Sequence, residues 1–315
     1  MAKLFPRAHR FREELLQEGQ EEIMQIRFRW NRLLPYALIF PNVFIYTLFI
    51  LVPVIWVFYL SFTNFTILNP GRWIGLSNYK VLLGDDTFHM ALKNTLLYWL
   101  FTVIPTMAIG LVLASFLNTK ISGLAAYRSF IYLPGVISSV AVCMTWLWLL
   151  DPRRGPINML LESLKLHGRD WLHEPQTALY SVMIIGIWTG VGYAMIIFLA
   201  GLQGIPEHLY EAAMIDGAST LRQFVHITIP LLRPITFFLF ITMTIRSFQV
   251  FDFVFILTNG GPANTSTTIV NEIVKSSFQD YRMGYASAIA IILLLITLIV
   301  TVVNYTVGSK ASDID

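Results

Sequence analysis

A chain of 315 residues in which 56% are hydrophobic and only 13% charged, with a mean hydropathy of +0.63, carries roughly half the ~25% charge of a soluble domain. That balance excludes an ordinary soluble globular fold, because lipid cannot hydrate charged side chains or unpaired backbone. The net charge of +3 comes with no basic face interleaved with aromatics, which excludes a nucleic-acid partner. A single cysteine, Cys143 in an apolar run, excludes an intrachain disulfide and a thiolate cluster.

Residues 1–33 are charged, with Lys3, Arg7, Arg10, Arg12, Arg27, Arg29 and Arg32 set against five glutamates. Leu15, Leu16, Ile23 and Ile26 recur at near-helical spacing, which suits a surface helix touching lipid headgroups or a partner as well as a simple solvated arm, in a cytoplasmic tail. The first apolar run begins near Leu34, too late and too long for a secretory signal. A span needs about 20 apolar residues, and six stretches qualify: 34–60, 91–117, 128–150, 178–202, 235–257 and 284–307. Pro35 suits a first helical turn, while Pro41 and Pro53 predict a bent first span. Lys93 and Asn94 sit at the expected start of the second span, with Pro105 inside it.

An even number of spans puts both termini on one side, and the Lys/Arg bias assigns that side to the cytoplasm. Cytoplasmic segments then hold 12 Lys/Arg against 8 outside, a bias carried by the seven in the N-terminal tail. On this topology residues 206–234 form a cytoplasmic loop, and 308–315 a cytoplasmic C-terminal tail. The external segments 61–90 and 151–177 are too short for separate domains. Asn69-Pro70-Gly71 and Asn259-Gly260-Gly261-Pro262 are strong turn signals. No low-complexity segment or internal repeat stands out.

The sequence has no Walker A pattern and no HExxH, and its six histidines are scattered at 9, 89, 167, 173, 208 and 226. No catalytic, metal or cofactor site is expected, and the chain reads as a conduit. Two ionisable residues fall inside the fifth span, Arg246 and Asp252. On a continuous helix they stand about 120° apart, so they are not expected to pair, each facing a different helix or a watery cavity. Ser247 and Gln249 lie between them among Phe248, Phe251 and Phe253, a pattern that suits a solute pathway as well as helix–helix contact. In the fourth span Gly186, Gly190 and Gly192 suit close packing, whereas Thr189 and Tyr193, four apart, share a face suited to lining a pathway.

The stretch Tyr210–Pro234 is a polar island between apolar runs. Pro206 suits a first helical turn, and Glu207 and Glu211 favour its N-terminal half. Gly217 fits a left-handed C-terminal cap, and Ser219 or Thr220 is placed to cap a second helix ending at Pro230. Ala212 and Ala213 leave a low surface on which another protein can approach closely.

The series Glu211-Ala212-Ala213, Gly217, Ile227 and Pro230 resembles, with every spacing kept, the cytoplasmic signature of membrane subunits of binding-protein-dependent ABC importers. Ile229 stands where leucine is usual. Residues 132–158 and 251–268 are similar to the carbohydrate branch, the maltose-type first permease subunit. The resemblance covers about residues 35–307. It implies an all-α integral membrane protein with the six transmembrane helices of a type I ABC importer. It also implies a second homologous permease subunit, a dimer of ATP-binding subunits that hold the ATP and magnesium, and an external solute-binding protein, in the cell membrane. By the resemblance Glu211, Ala212, Ala213, Asp216, Gly217, Ile227 and Pro230 couple to the ATPase. Solute contacts fall on Gly190, Tyr193, Arg246, Ser247, Gln249 and Val250, to which the residues themselves add Thr189 and Asp252. Arg246 and Val250 depart from the aromatic and amide types expected there, leaving the solute open. A sugar is the main reading. Glycerol phosphate or a polyamine is the alternative, and a self-contained secondary transporter the rival from another class.

Overall fold

The computed structural model describes residues 34–119 and 123–312, with side chains through residue 306. The expected N-terminal tail and its surface helix lie outside the described residues. So do Lys120 and the side chains of the C-terminal tail.

Two compact units divide at Tyr59 and Leu60. The described part of the first is one helix, α1 (Leu34–Leu60). It is apolar on every side, as suits a membrane-spanning helix. Pro53 removes a donor and crowds the carbonyl four residues back. The helix answers with a π turn at Thr47–Leu51, where the Val52 N–H reaches back to the Thr47 carbonyl.

The described residues of the second unit form helices joined by loops, with one isolated bridge between Thr63 and Trp73. Its elements in order are α2 (Ser77–Leu83), α3 (Asp86–Leu117), α4 (Leu124–Val136), α5 (Ser139–Leu149), α6 (Pro156–Ser163) and α7 (Ala178–Gln203). There follow α8 (Glu207–Ile215), α9 (Thr220–Leu231), α10 (Arg233–Phe248), α11 (Asp252–Leu257), α12 (Ile269–Val274, continued as a π turn at Lys275–Gln279) and α13 (Met283–Ser312). Four described helices are long and apolar enough to cross a membrane: α1, α3, α7 and α13. Two bent pairs, α4 with α5 at 94° and α9 with α10 at 63°, bring the number to six if each pair is one span.

The helix contacts fix directions. Tyr98 lies against Gly186, Thr106 against Gly190, and Gly110 against Ala194, so α3 and α7 run parallel. Gly135 meets Thr189 and Ile131 meets Gly192, and likewise Met243 meets Gly190 and Ile235 meets Gly201. Both α4 and α10 therefore run against α7. A Cβ at Gly192 would stand 2.5 Å from the Ile131 carbonyl oxygen, so this glycine is what allows α4 and α7 to approach. The Tyr285 hydroxyl donates to Asp85, which sets α13 parallel to α3. The unit thus has two ends: one carries α8 and α9, and the other carries Asp85 and the loops 151–177 and 258–282.

The boundaries differ from expectation in three places. Helix α3 starts at Asp86 rather than 91, because Asp85 caps it by accepting from the Thr87 and Phe88 N–H groups. Asn94 is thereby inside the helix and buried, donating to the carbonyls of Asn264, Thr265 and Thr267 at 3.3, 3.0 and 2.9 Å. The third span is not one rod: Ile137 and Ser138 are extended, just after Pro134-Gly135. The fifth is not continuous either, since α10 stops at Phe248 and α11 restarts at Asp252.

Candidate functional site: a polar cavity and an exposed helical pair

The break in the fifth span opens a cavity of about 500 Å³ between α3, α4, α5, α7 and α10. Its size is that of a small-molecule site. All seven pathway residues named from the sequence line it: Thr189, Gly190 and Tyr193 from α7, Arg246 and Ser247 from the end of α10, Gln249 from the break, and Asp252 from the start of α11. Arg246 and Asp252 do not point to separate surroundings, as a continuous helix would require. Three non-helical residues, 249–251, change the direction between them and bring both to one chamber.

Each charge is supported where it stands. Arg246 is in the last turn of α10 and Asp252 in the first turn of α11, the helix ends that favour a cation and an anion respectively. The Arg246 guanidinium lies over the Tyr193 ring, 4.9 Å from its centroid. Asp252 accepts a 2.6 Å hydrogen bond from the Ser139 hydroxyl at the start of α5. The 94° bend therefore has a consequence for the cavity, because it delivers Ser139 to Asp252. The hydroxyls of Thr189 and Ser247 donate within their own helices, to Ile185 and Gly186 and to Thr244 respectively.

Tyr98, Thr102, Thr106, Tyr132, Gly135 and Ser139 also line the chamber, and sequence reasoning did not select them. Tyr98, Thr102 and Thr106 recur at helical spacing in the second span, a polar stripe that was legible. Ser139 carried no signal of its own, since only the bend gives it a role.

At the end of the unit where α8 and α9 lie, the polar island is a helical hairpin. Helix α8 closes in a Schellman arrangement: the Ala218 N–H bonds the Ala213 carbonyl at 2.8 Å and the Gly217 N–H bonds Met214 at 3.0 Å. Gly217 has φ +74°, a left-handed conformation that any side chain would strain. Ser219 then caps α9 by accepting from the Arg222 N–H. A 2.8 Å hydrogen bond between the Tyr210 and Thr228 hydroxyls ties the two helices. Pro230 does not end α9. A π turn at Phe224–Thr228 lets the helix run past the proline to Leu231.

The signature residues sort into two groups. Glu211, Ala212, Asp216 and Gly217 are exposed, Ala213 is half-buried, and Ile227 joins Leu209 and Tyr210 in packing on the core that holds Phe198, Leu202 and Leu232. Ile227 thus anchors the hairpin rather than presenting it, and Pro230 is half-buried beside it. Sequence reasoning missed Met214, Ile215 and Leu221, all exposed apolar residues, Ile215 at 87%. Ile215 stands four residues after Glu211, on the same face, and an apolar pair inside a polar island was a usable signal.

The model for the binding-protein-dependent transport system inner membrane component family matches residues 95–312. The chain belongs to that family. A probable ABC transporter permease protein of Pyrococcus horikoshii is 37% identical over 85% of this chain and 93% of its own length. The arabinooligosaccharides transport system permease protein of Bacillus subtilis is 33% identical over 86% of this chain and 87% of its own. Among solved structures, that of a bacterial ABC transporter involved in the import of the acidic polysaccharide alginate superposes with a TM-score of 0.81. It is 24% identical over 91% of this chain and 99% of that one, and the likeness carries the fold. The fold is the all-helical one of a type I ABC importer permease, as the signature implied. This permease places its polar chamber at a helix break and its exposed hairpin at one end.

Proposed function

We propose that this permease forms half of the transmembrane path of an ATP-driven importer for a sugar or sugar derivative, which a solute-binding protein delivers from outside. The α8–α9 hairpin is the cytoplasmic docking element for an ATP-binding subunit, which holds the ATP and magnesium, and both termini lie on that side. A second, homologous permease completes the path. The observation that carries the reading is the hairpin itself: a capped, hydroxyl-tied pair of short helices anchored to the core through Ile227, Leu209 and Tyr210 while Glu211 and Ile215 stand exposed. Such an element transmits a push without bending. Tilting the helices it is rooted in switches the bundle between discrete open states.

The sugar reading draws on the arabinooligosaccharide relative and on the chamber's surfaces. Tyr98, Tyr132 and Tyr193 offer ring faces, and Gln249 and Asp252 offer polar atoms to hydroxyl groups. The test is Glu211→Lys in the complete transporter. The expected outcome is ATP hydrolysis that persists while sugar uptake falls to background; normal uptake would refute the coupling role.

A further inference from the structure

The chamber holds one cation that the described residues leave unanswered. Arg246 stacks on Tyr193, and no described carboxylate comes within ion-pair distance of it. Asp252, in the same chamber, is already held by Ser139. The Arg246 side chain is exposed to the chamber, and a carboxylate matches its planar fork through two parallel hydrogen bonds. We propose that the solute supplies that partner: the permease carries an acidic saccharide, one bearing a sugar carboxylate, with the carboxylate on Arg246. This deepens the sugar-import reading and rests on it.

The chamber's other charge narrows the class. Asp252 repels a second negative charge, and a phosphate monoester brings close to two where a uronate brings one. A single carboxylate answers the single cation and leaves Asp252 to accept from a ring hydroxyl. The Tyr193 ring, with the guanidinium across it, keeps that cation in place before the solute arrives. A preformed cation loses less freedom on binding than a mobile lysine.

The test uses the complete transporter, with its binding protein and ATP-binding subunits, in cells lacking other routes. The probes are radiolabelled galacturonate and glucuronate, their neutral counterparts galactose and glucose, and glucose 6-phosphate. Uptake of at least one acidic sugar is expected. Arg246→Gln should lower it about tenfold or more, since a charge-assisted pair is lost. Arg246→Lys, which keeps the charge, should retain clearly more uptake than Arg246→Gln, and co-purification should show the complex assembled in both. The proposal is overturned by acidic-sugar uptake unchanged in Arg246→Gln, by both variants falling equally, or by uptake of the phosphate ester in place of the uronates. Uptake of neutral sugars alone also overturns it, but leaves the sugar-importer reading standing. Uptake of no sugar of either kind overturns both.

Discussion

Gly186 faces the hydroxyl of Tyr98 across the contact between α3 and α7, at the wall of the chamber. A Cβ placed there would lie 2.3 Å from the Tyr98 Oη and 3.2 Å from its Cζ. The Gly186→Ala variant therefore forces the phenol to withdraw by about 1 Å to reach ordinary contact. Tyr98 is buried, so the ring cannot swing freely, and overpacking of this kind costs about 1–3 kcal/mol. For a chain of this size that lowers the thermal midpoint by roughly 2–5 °C. The Tyr98 hydroxyl makes no hydrogen bond with the described residues, so Tyr98→Phe alone should change stability by less than about 1 kcal/mol. Combined with Gly186→Ala it removes the worst overlap and leaves only the 3.2 Å contact. The double variant should recover most of the loss, with a coupling of about 0.5–3 kcal/mol between the two sites. The assay is the thermal midpoint of the detergent-purified transporter for the wild type, both single variants and the double. Strict additivity, or a Gly186→Ala midpoint equal to the wild type, would refute the close approach of α3 and α7 at this point.

Two further outcomes bear on the end opposite the hairpin. Asn94→Ala removes the donor of three carbonyls, those of Asn264, Thr265 and Thr267; the expected loss is about 2–4 kcal/mol, with the loop 258–268 becoming the first site of limited proteolysis. Glu272 is buried on α12, and one of its oxygens has no hydrogen-bond partner among the described residues, the other accepting from Ser276. Burial holds its carboxyl above the usual range, against the pull of Ser276 and Lys275 and with the help of Asp85 and Asp280. A raised carboxylate pKa gives stability that is present below the unfolded value of about 4.3 and lost as pH rises through the folded value. Glu272→Gln should therefore gain thermal stability on the wild type as pH rises from below about 4.3 to neutrality, and a constant difference across that range would contradict the assignment. The coupling and solute tests, Glu211→Lys and Arg246→Gln, complete the set.

The hairpin shows what was legible and why. Its glycine cap, its serine cap and its start at Pro206 depend on backbone sterics and on hydrogen bonds a few residues long, so the residues announce them. The end of α9 falls at Leu231, one residue past the Pro230 expected, and the π turn at Phe224–Thr228 that admits the proline has no sequence mark. Ile227 belongs to the signature, yet only the packed core shows that its place in the hairpin is to anchor it.

The apolar runs were set by solvation: about 20 residues without hydration must be helical and must cross. That much, and the list of polar residues stranded within them, the amino-acid order determined by itself. Where a helix stops inside the membrane is another matter. The interruption at 249–251 costs local hydrogen bonds, and long-range contacts compensate, among them Ser139 with Asp252 and Thr268 with the Val250 carbonyl. Those partners lie 113 and 18 residues away, beyond the reach of any periodicity. Tertiary structure alone therefore decided that Arg246 and Asp252 share one chamber, because the direction of a side chain past a helix break is set by what the next helix packs against.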